Sequence, residues 1–238
     1  MLSHELTALT ITAASIGFLH TLLGPDHYLP FIVLGRARRW SLSRTGLITI
    51  LCGIGHIVSS VLLGLIGIAF GLAVARLEFV ESVRGSIAAW ALIAFGLVYT
   101  AWGIRHAMKG RPHTHFHVHD EDIIHSHHHV HAQEHVHIHD RAERPNVTPW
   151  ILFTIFVLGP CEPLIPVLMY PAVRESRSGL IWITAVFGTV TILTMLASVM
   201  LLSLGVKRVP LGRLNRYAHA LAGLSLLLCG AAIQFLGL

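Results

Sequence analysis

The sequence predicts an all-α integral membrane protein: six transmembrane helices as two inverted three-helix repeats, with helices 1 and 4 broken at Gly-Pro. Three observations carry this. The chain is 54% hydrophobic and only 12% charged, against about 25% charged in ordinary soluble domains. Apolar runs near the roughly 20 residues that span a bilayer fall at about 6–35, 46–75, 86–106, 149–171, 179–204 and 217–238. A gapless shift of 135 residues superposes Leu23-Gly-Pro25 on Leu158-Gly-Pro160, with 14 identities in the 47 positions from Ile16 to Leu62. Three helices separate the two copies, so they run in opposite directions through the membrane, as in many secondary transporters.

The first span contains Gly17-Phe-Leu-His-Thr-Leu-Leu-Gly-Pro-Asp-His-Tyr-Leu-Pro30, with His20, Asp26 and His27 inside an apolar run. An ionised Asp near the bilayer centre costs roughly 2.5–3.5 kcal/mol on insertion scales, so such residues face a pathway or a partner. In an unbroken helix His20 and His27 stand roughly 10 Å apart along the axis. Pro25 removes a backbone donor and breaks the helix, which lets the two histidines fold toward one point.

The second span carries His56 in Cys52-Gly-Ile-Gly-His56 and glycines suited to close helix packing. The fourth carries Cys161 and Glu162 in Gly159-Pro-Cys-Glu-Pro-Leu-Ile-Pro166. In the repeat, Asp26-His27 stands opposite Cys161-Glu162, and apart from these two carboxylates the predicted spans hold almost no acid and no deep Arg or Lys. Imidazole, carboxylate and thiolate together suit borderline divalent ions such as Ni²⁺, Co²⁺ and Zn²⁺. The predicted transit site is therefore His20, Asp26, His27, His56, Cys161 and Glu162, with no tightly bound cofactor.

The basic residues orient the chain. Thirteen Lys and Arg lie in the loops after spans one, three and five, against four on the other side (Arg76, Arg84, Arg174 and Arg177). By the positive-inside rule both termini lie outside and the three basic loops are cytoplasmic, which in a bacterial-type cell means the inner membrane. The organisation is then residues 1–110 for the first repeat, 111–146 for a cytoplasmic loop and 147–238 for the second repeat. That loop holds twelve of the eighteen histidines: His113, His115, His117, His119, His125, His127, His128, His129, His131, His135, His137 and His139. It has little apolar material for a core, so it is expected to be disordered without metal and to act as an accessory metal-binding tract.

Other classes are poorly served. The formal charge of +5 comes from loops without the interleaved aromatics of a nucleic-acid surface, and Cys52, Cys161 and Cys229 are too few and scattered for a disulfide framework. No Gly-x4-Gly-Lys motif and no nucleophile–base pair points to ATP hydrolysis or to an enzyme. The first residues carry no Lys or Arg before the apolar run, so a cleaved leader is not expected. The expected partners are a divalent metal ion and the bilayer, with homo-oligomerisation left open.

The sequences His20-Thr-Leu-Leu-Gly-Pro-Asp26-His27 and Gly55-His56-Ile-Val-Ser59-Ser60 resemble the nickel/cobalt transporter superfamily, including its urease-accessory-type and efflux members. The His-rich loop is a further feature of the efflux branch. Five residues rather than that family's four separate His20 from Asp26, so the likeness rests on Asp26, His27 and His56. It implies a secondary transporter of nickel or cobalt; the cytoplasmic histidine tract suits efflux but also storage after import, and ligands whose protons metal displaces suit coupling to protons. The segment Gly159-Pro-Cys-Glu-Pro163 also looks like the membrane thiol-disulfide carriers of cytochrome c biogenesis, which share the repeat plan. Those need one thiol per repeat, and here the counterpart of Cys161 is Asp26. A thiol-disulfide electron carrier, an anion exporter of the same architecture and a metal-sensing membrane protein stand as alternatives.

Overall fold

The computed structural model describes residues 4–109, 113–118, 124–129, 147–161, 163–173, 177–209 and 212–237. The helices are α1 (His4–Leu23), α2 (Leu29–Ala37), α3 (Leu42–Ala69), α4 (Val74–Lys109), α5 (Thr148–Leu158), α6 (Leu164–Val173), α7 (Arg177–Arg208) and α8 (Ala218–Leu236). Among the described residues, five helices are long and apolar enough to cross a membrane. The chain is a multi-pass membrane protein. The sixth expected span is not one helix: residues 149–171 divide into the 11-residue α5 and the 10-residue α6, on either side of Gly159-Pro160.

The first break follows from local chemistry. Gly24 takes an extended conformation (φ −87°, ψ 98°), and Pro25 opens a 3-10 turn, Pro25–His27, at a position where its missing N–H costs nothing. Gly24 N–H closes the last turn of α1 on His20 O at 3.0 Å, and His27 N–H donates to Gly24 O at 3.1 Å. Chain direction therefore changes without stranding backbone groups, which lipid does not tolerate. After α2, Arg39 enters the left-handed region (φ 53°) and Trp40 N–H returns to Gly35 O at 2.8 Å. Ser41 then caps α3 by accepting from Arg44 N–H.

The helices bury one face and offer the other to lipid. Phe31, Leu34, Trp40, Cys52, Leu92, Leu152, Phe156, Met195, Val199 and Leu226 form the larger apolar cluster, while Ala13, Ile57, Cys161, Leu164, Ile183 and Phe187 form the smaller. Leu47, Leu51, Val58 and Leu62 on α3 and Leu97 and Val98 on α4 face outward. Trp182 Nε1 of α7 donates to Thr10 Oγ1 of α1 at 3.0 Å. At one end Arg38 Nε donates to Tyr99 Oη at 3.0 Å, and Tyr99 Oη lies 2.9 Å from His219 Nδ1, joining α2, α4 and α8.

Helices α4 and α8 meet backbone to backbone. A Cβ on Gly96 would lie 2.4 Å from Leu227 N, and one on Gly223 would lie 2.4 Å from Thr100 N. Without a hydrophobic effect to drive helices together in lipid, such small-residue contacts supply the packing.

One expectation needs correcting. α4 begins at Val74, a full three turns before the predicted 86, and so takes Glu81 and Arg84 into a helix. The hydropathy of the run is diluted by charges that the fold pairs internally. In the histidine-rich loop, His113–Val118 and Ile124–His129 pair as an antiparallel hairpin, with His113 opposite His129, His115 opposite His127 and His117 opposite His125. The alternation His-Thr-His-Phe-His-Val has the period of a strand. His119, His131, His135, His137 and His139 lie outside the described residues.

Replacing Gly96 by Leu should separate α4 from α8, because the obstructing atoms are backbone. Overpacking of this kind costs typically 1–3 kcal/mol. A clear fall in the thermal aggregation midpoint of the detergent-solubilised protein is expected. Gly205→Ala, whose Cβ would meet nothing within 4 Å, should leave that midpoint unchanged.

Candidate metal centre within the membrane

Three histidines converge. His20 sits in the last turn of α1, His27 in the 3-10 turn after the break, and His56 in the middle of α3. The rings of His20 and His27 are 4.7 Å apart and those of His27 and His56 5.4 Å apart, centre to centre and nearly perpendicular. One nitrogen from each lies within 4.8 Å of the others. The break has thus brought together residues seven apart in sequence that a straight helix would hold roughly 10 Å apart.

Hydrogen bonds fix which nitrogen is free. His56 Nδ1 lies 3.2 Å from Phe156 O. A carbonyl only accepts, so Nδ1 carries the proton and Nε2 the lone pair. His27 Nδ1 lies 3.1 Å from Asp26 Oδ1 and 3.3 Å from Gly24 O, both acceptors, so it too presents Nε2. The Nε2 atoms of His20, His27 and His56 are all buried without a hydrogen-bond partner among the described residues. A buried polar atom left unpaired costs about 1–3 kcal/mol. Three such atoms on neighbouring rings form a group that could hold a cation, with the carboxylate–histidine arrangement common behind metal ligands. One ion at 2.0–2.1 Å from each nitrogen requires a modest contraction of this triangle.

Asp26 stands behind His27, its side chain 31% accessible and its Oδ1 held by the ring. Cys161 is buried in the smaller apolar cluster and is not in the histidine group. Glu162 lies outside the described residues. The three thiols Cys52, Cys161 and Cys229 are all free and buried.

The expectation of no deep cation and almost no further acid is overturned by Glu81 and Arg84. Glu81 is completely buried. Arg84 Nη1 donates to Glu81 Oε1 at 2.7 Å. Its other donors reach Gly159 O (2.7 Å), Leu158 O (3.3 Å), Ser59 Oγ and Ser60 Oγ (both 3.1 Å). Glu81 Oε2 in turn accepts from Cys161 N–H at 3.1 Å. The pair therefore satisfies backbone groups on both sides of the second break, whose α5 end supplies the Phe156 carbonyl that orients His56. The i,i+3 spacing of Glu81 and Arg84 is the one sequence signal that could have revealed it.

A cavity of about 580 Å³ opens from these imidazoles. His20, Asp26, His27 and His56 line one part, and Ser82, Ser86 and Gln234 of α4 and α8 line another.

The model of one protein family, the cytochrome c biogenesis protein transmembrane region, matches residues 30–232, most of the chain. No curated protein and no solved structure matches. This overturns the resemblance to nickel/cobalt transporters: the motifs behind that likeness are short, whereas the match runs through both apolar halves. It agrees better with the thiol-disulfide carrier drawn from Gly159-Pro-Cys-Glu-Pro163 than with metal transport. The matched stretch begins after His27, so His20, Asp26 and His27 lie outside what it describes.

Arg84→Met would leave Glu81 buried without its cation, a change that costs roughly 3–5 kcal/mol. A sharply lowered thermal midpoint is expected, and Glu81→Gln added to Arg84→Met should recover part of the loss.

Proposed function

Because the chain belongs to the family of the cytochrome c biogenesis protein transmembrane region, we propose that it is a carrier built on that membrane scaffold, moving a divalent transition-metal ion through His20, His27 and His56. The observation that supports this most is the convergence of three buried, unpartnered Nε2 atoms, two of them with their tautomer set from behind. The breaks at Gly24-Pro25 and Gly159-Pro160 lie at equivalent points of the sequence repeat, in keeping with two inverted halves whose interrupted helices meet at a transport site. Both termini outside, with the histidine hairpin on the cytoplasmic side of the inner membrane, is the orientation the basic loops favour. There the hairpin would gather ions for export.

Imidazoles bind metal only when neutral, so a proton and the ion compete for the same lone pairs. This suits exchange of metal against protons: acid on the receiving side unloads the ion.

The second reading, electron transfer between thiols, is favoured by the family match itself and by Cys161 next to the Gly-Pro break. Against it stand the residues: the repeat partner of Cys161 is Asp26, and Cys161 packs in a different apolar cluster from Cys52 and Cys229.

Zn²⁺ flux into proteoliposomes separates the two. His27→Ala and His56→Ala should each reduce flux at least tenfold, and acidification below about pH 6, under the ordinary imidazole range, should weaken Zn²⁺ binding. Asp26→Asn should lower affinity 10- to 100-fold, as loss of a partner behind a ligand typically does. Replacing all three cysteines by serine should leave flux intact; a parent protein that moves no Zn²⁺ but passes electrons from an external dithiol to a disulfide inside the vesicle, and loses this with the thiols, would establish the redox carrier.

A further inference from the structure

The metal site is open on one side, and what it opens onto is not shaped for a bare ion. Three imidazoles give three ligands, and borderline divalent ions take at least four. Among the described residues no further His, Cys, Asp or Glu joins the three. The space beyond is about 580 Å³, whereas one water needs about 30 Å³, so a single water in the fourth position leaves most of it unfilled.

Charge narrows the occupant. A divalent ion held by neutral imidazoles, with the Asp26 carboxylate behind His27, leaves the centre at net +1. The nearby Glu81–Arg84 pair is neutral in itself. An uncompensated charge is costly in a low-dielectric interior, and one monoanion bound to the metal removes it. The lining also offers donors for such a group: Ser86 Oγ donates to Gln234 Oε1 at 3.0 Å, so the Gln234 amide, its oxygen engaged, has N–H groups to offer an anion. Leu92, Ile155 and Ile233 are among the apolar residues of the same lining.

We infer that the protein takes its metal as a complex with a small monoanionic Lewis base, the histidines holding the ion and the Ser86–Gln234 side of the cavity holding the anion. This rests on the metal reading above and specifies its substrate. The cargo would then be an ion pair rather than a naked cation, and transport of the pair carries one charge less than transport of the ion.

Co²⁺ serves as a visible-absorbing stand-in for Zn²⁺ and azide as the probe anion, titrated into the full-length protein in detergent against perchlorate at equal ionic strength. A saturable shift of the Co²⁺ bands by azide and not by perchlorate is expected. Ser86→Leu and Gln234→Leu should each raise the azide concentration for half-saturation at least tenfold, with the azide-free bands recorded in each variant as the measure of the metal site. Bands that ignore azide, or both variants responding as the parent does, overturn the inference while leaving the metal site standing. Bands that ignore azide but change in Glu162→Gln assign the fourth position to the protein and overturn it likewise. Absence of any Co²⁺ band overturns the metal reading and this inference together.

Discussion

An interrupted helix inside lipid leaves backbone groups that no solvent can satisfy, and the architecture of this protein is a set of answers to that constraint. Each unsatisfied N–H or C=O in hydrocarbon costs several kcal/mol, so the two Gly-Pro breaks persist only because each is matched locally. At the first, a 3-10 turn recovers the bonds within the chain itself, and His27 Nδ1 adds a contact to Gly24 O. At the second, Arg84 and Glu81 do so from another helix, with Arg84 on carbonyls and Glu81 on Cys161 N–H.

The two solutions meet at the histidines. The first break sets His27 against His20, and the second leaves Phe156 O where it engages His56 Nδ1. Two of the three lone pairs are thus set by main-chain oxygens, Phe156 O behind His56 and Gly24 O behind His27, with the Asp26 carboxylate adding a second contact to His27. This is why such a site survives in an apolar core: few polar atoms need burying beyond those that would face the ion.

Much of this was legible. Pro25 with flanking His20 and His27 announced both the break and the approach of the two rings, and Gly55-His56 stood out because a lone ionisable residue in a glycine-rich span is expensive. What was not legible falls into two kinds. Glu81 and Arg84 looked like loop residues because a hydropathy window counts each charge alone, whereas a buried pair is neutral as a unit. The tautomer of His56 depends on a main-chain oxygen a hundred positions away, to which residue identity gives no clue. The nickel/cobalt likeness failed for a related reason: short histidine motifs arise wherever a site must bind a cation, while a family is defined by the whole bundle.

The contact between α4 and α8 has a mechanical corollary. Main-chain atoms brought to touching distance at Gly96 and Gly223 interlock like cogs, so neither helix slides or rotates without lifting off the other. The two therefore behave as a single rigid strut. They carry Ser82, Ser86 and Gln234, while the imidazoles ride on the other side of the same chamber. A change in the width of that chamber then falls to the broken helices, which change direction at Gly24-Pro25 and Gly159-Pro160, and not to this wall.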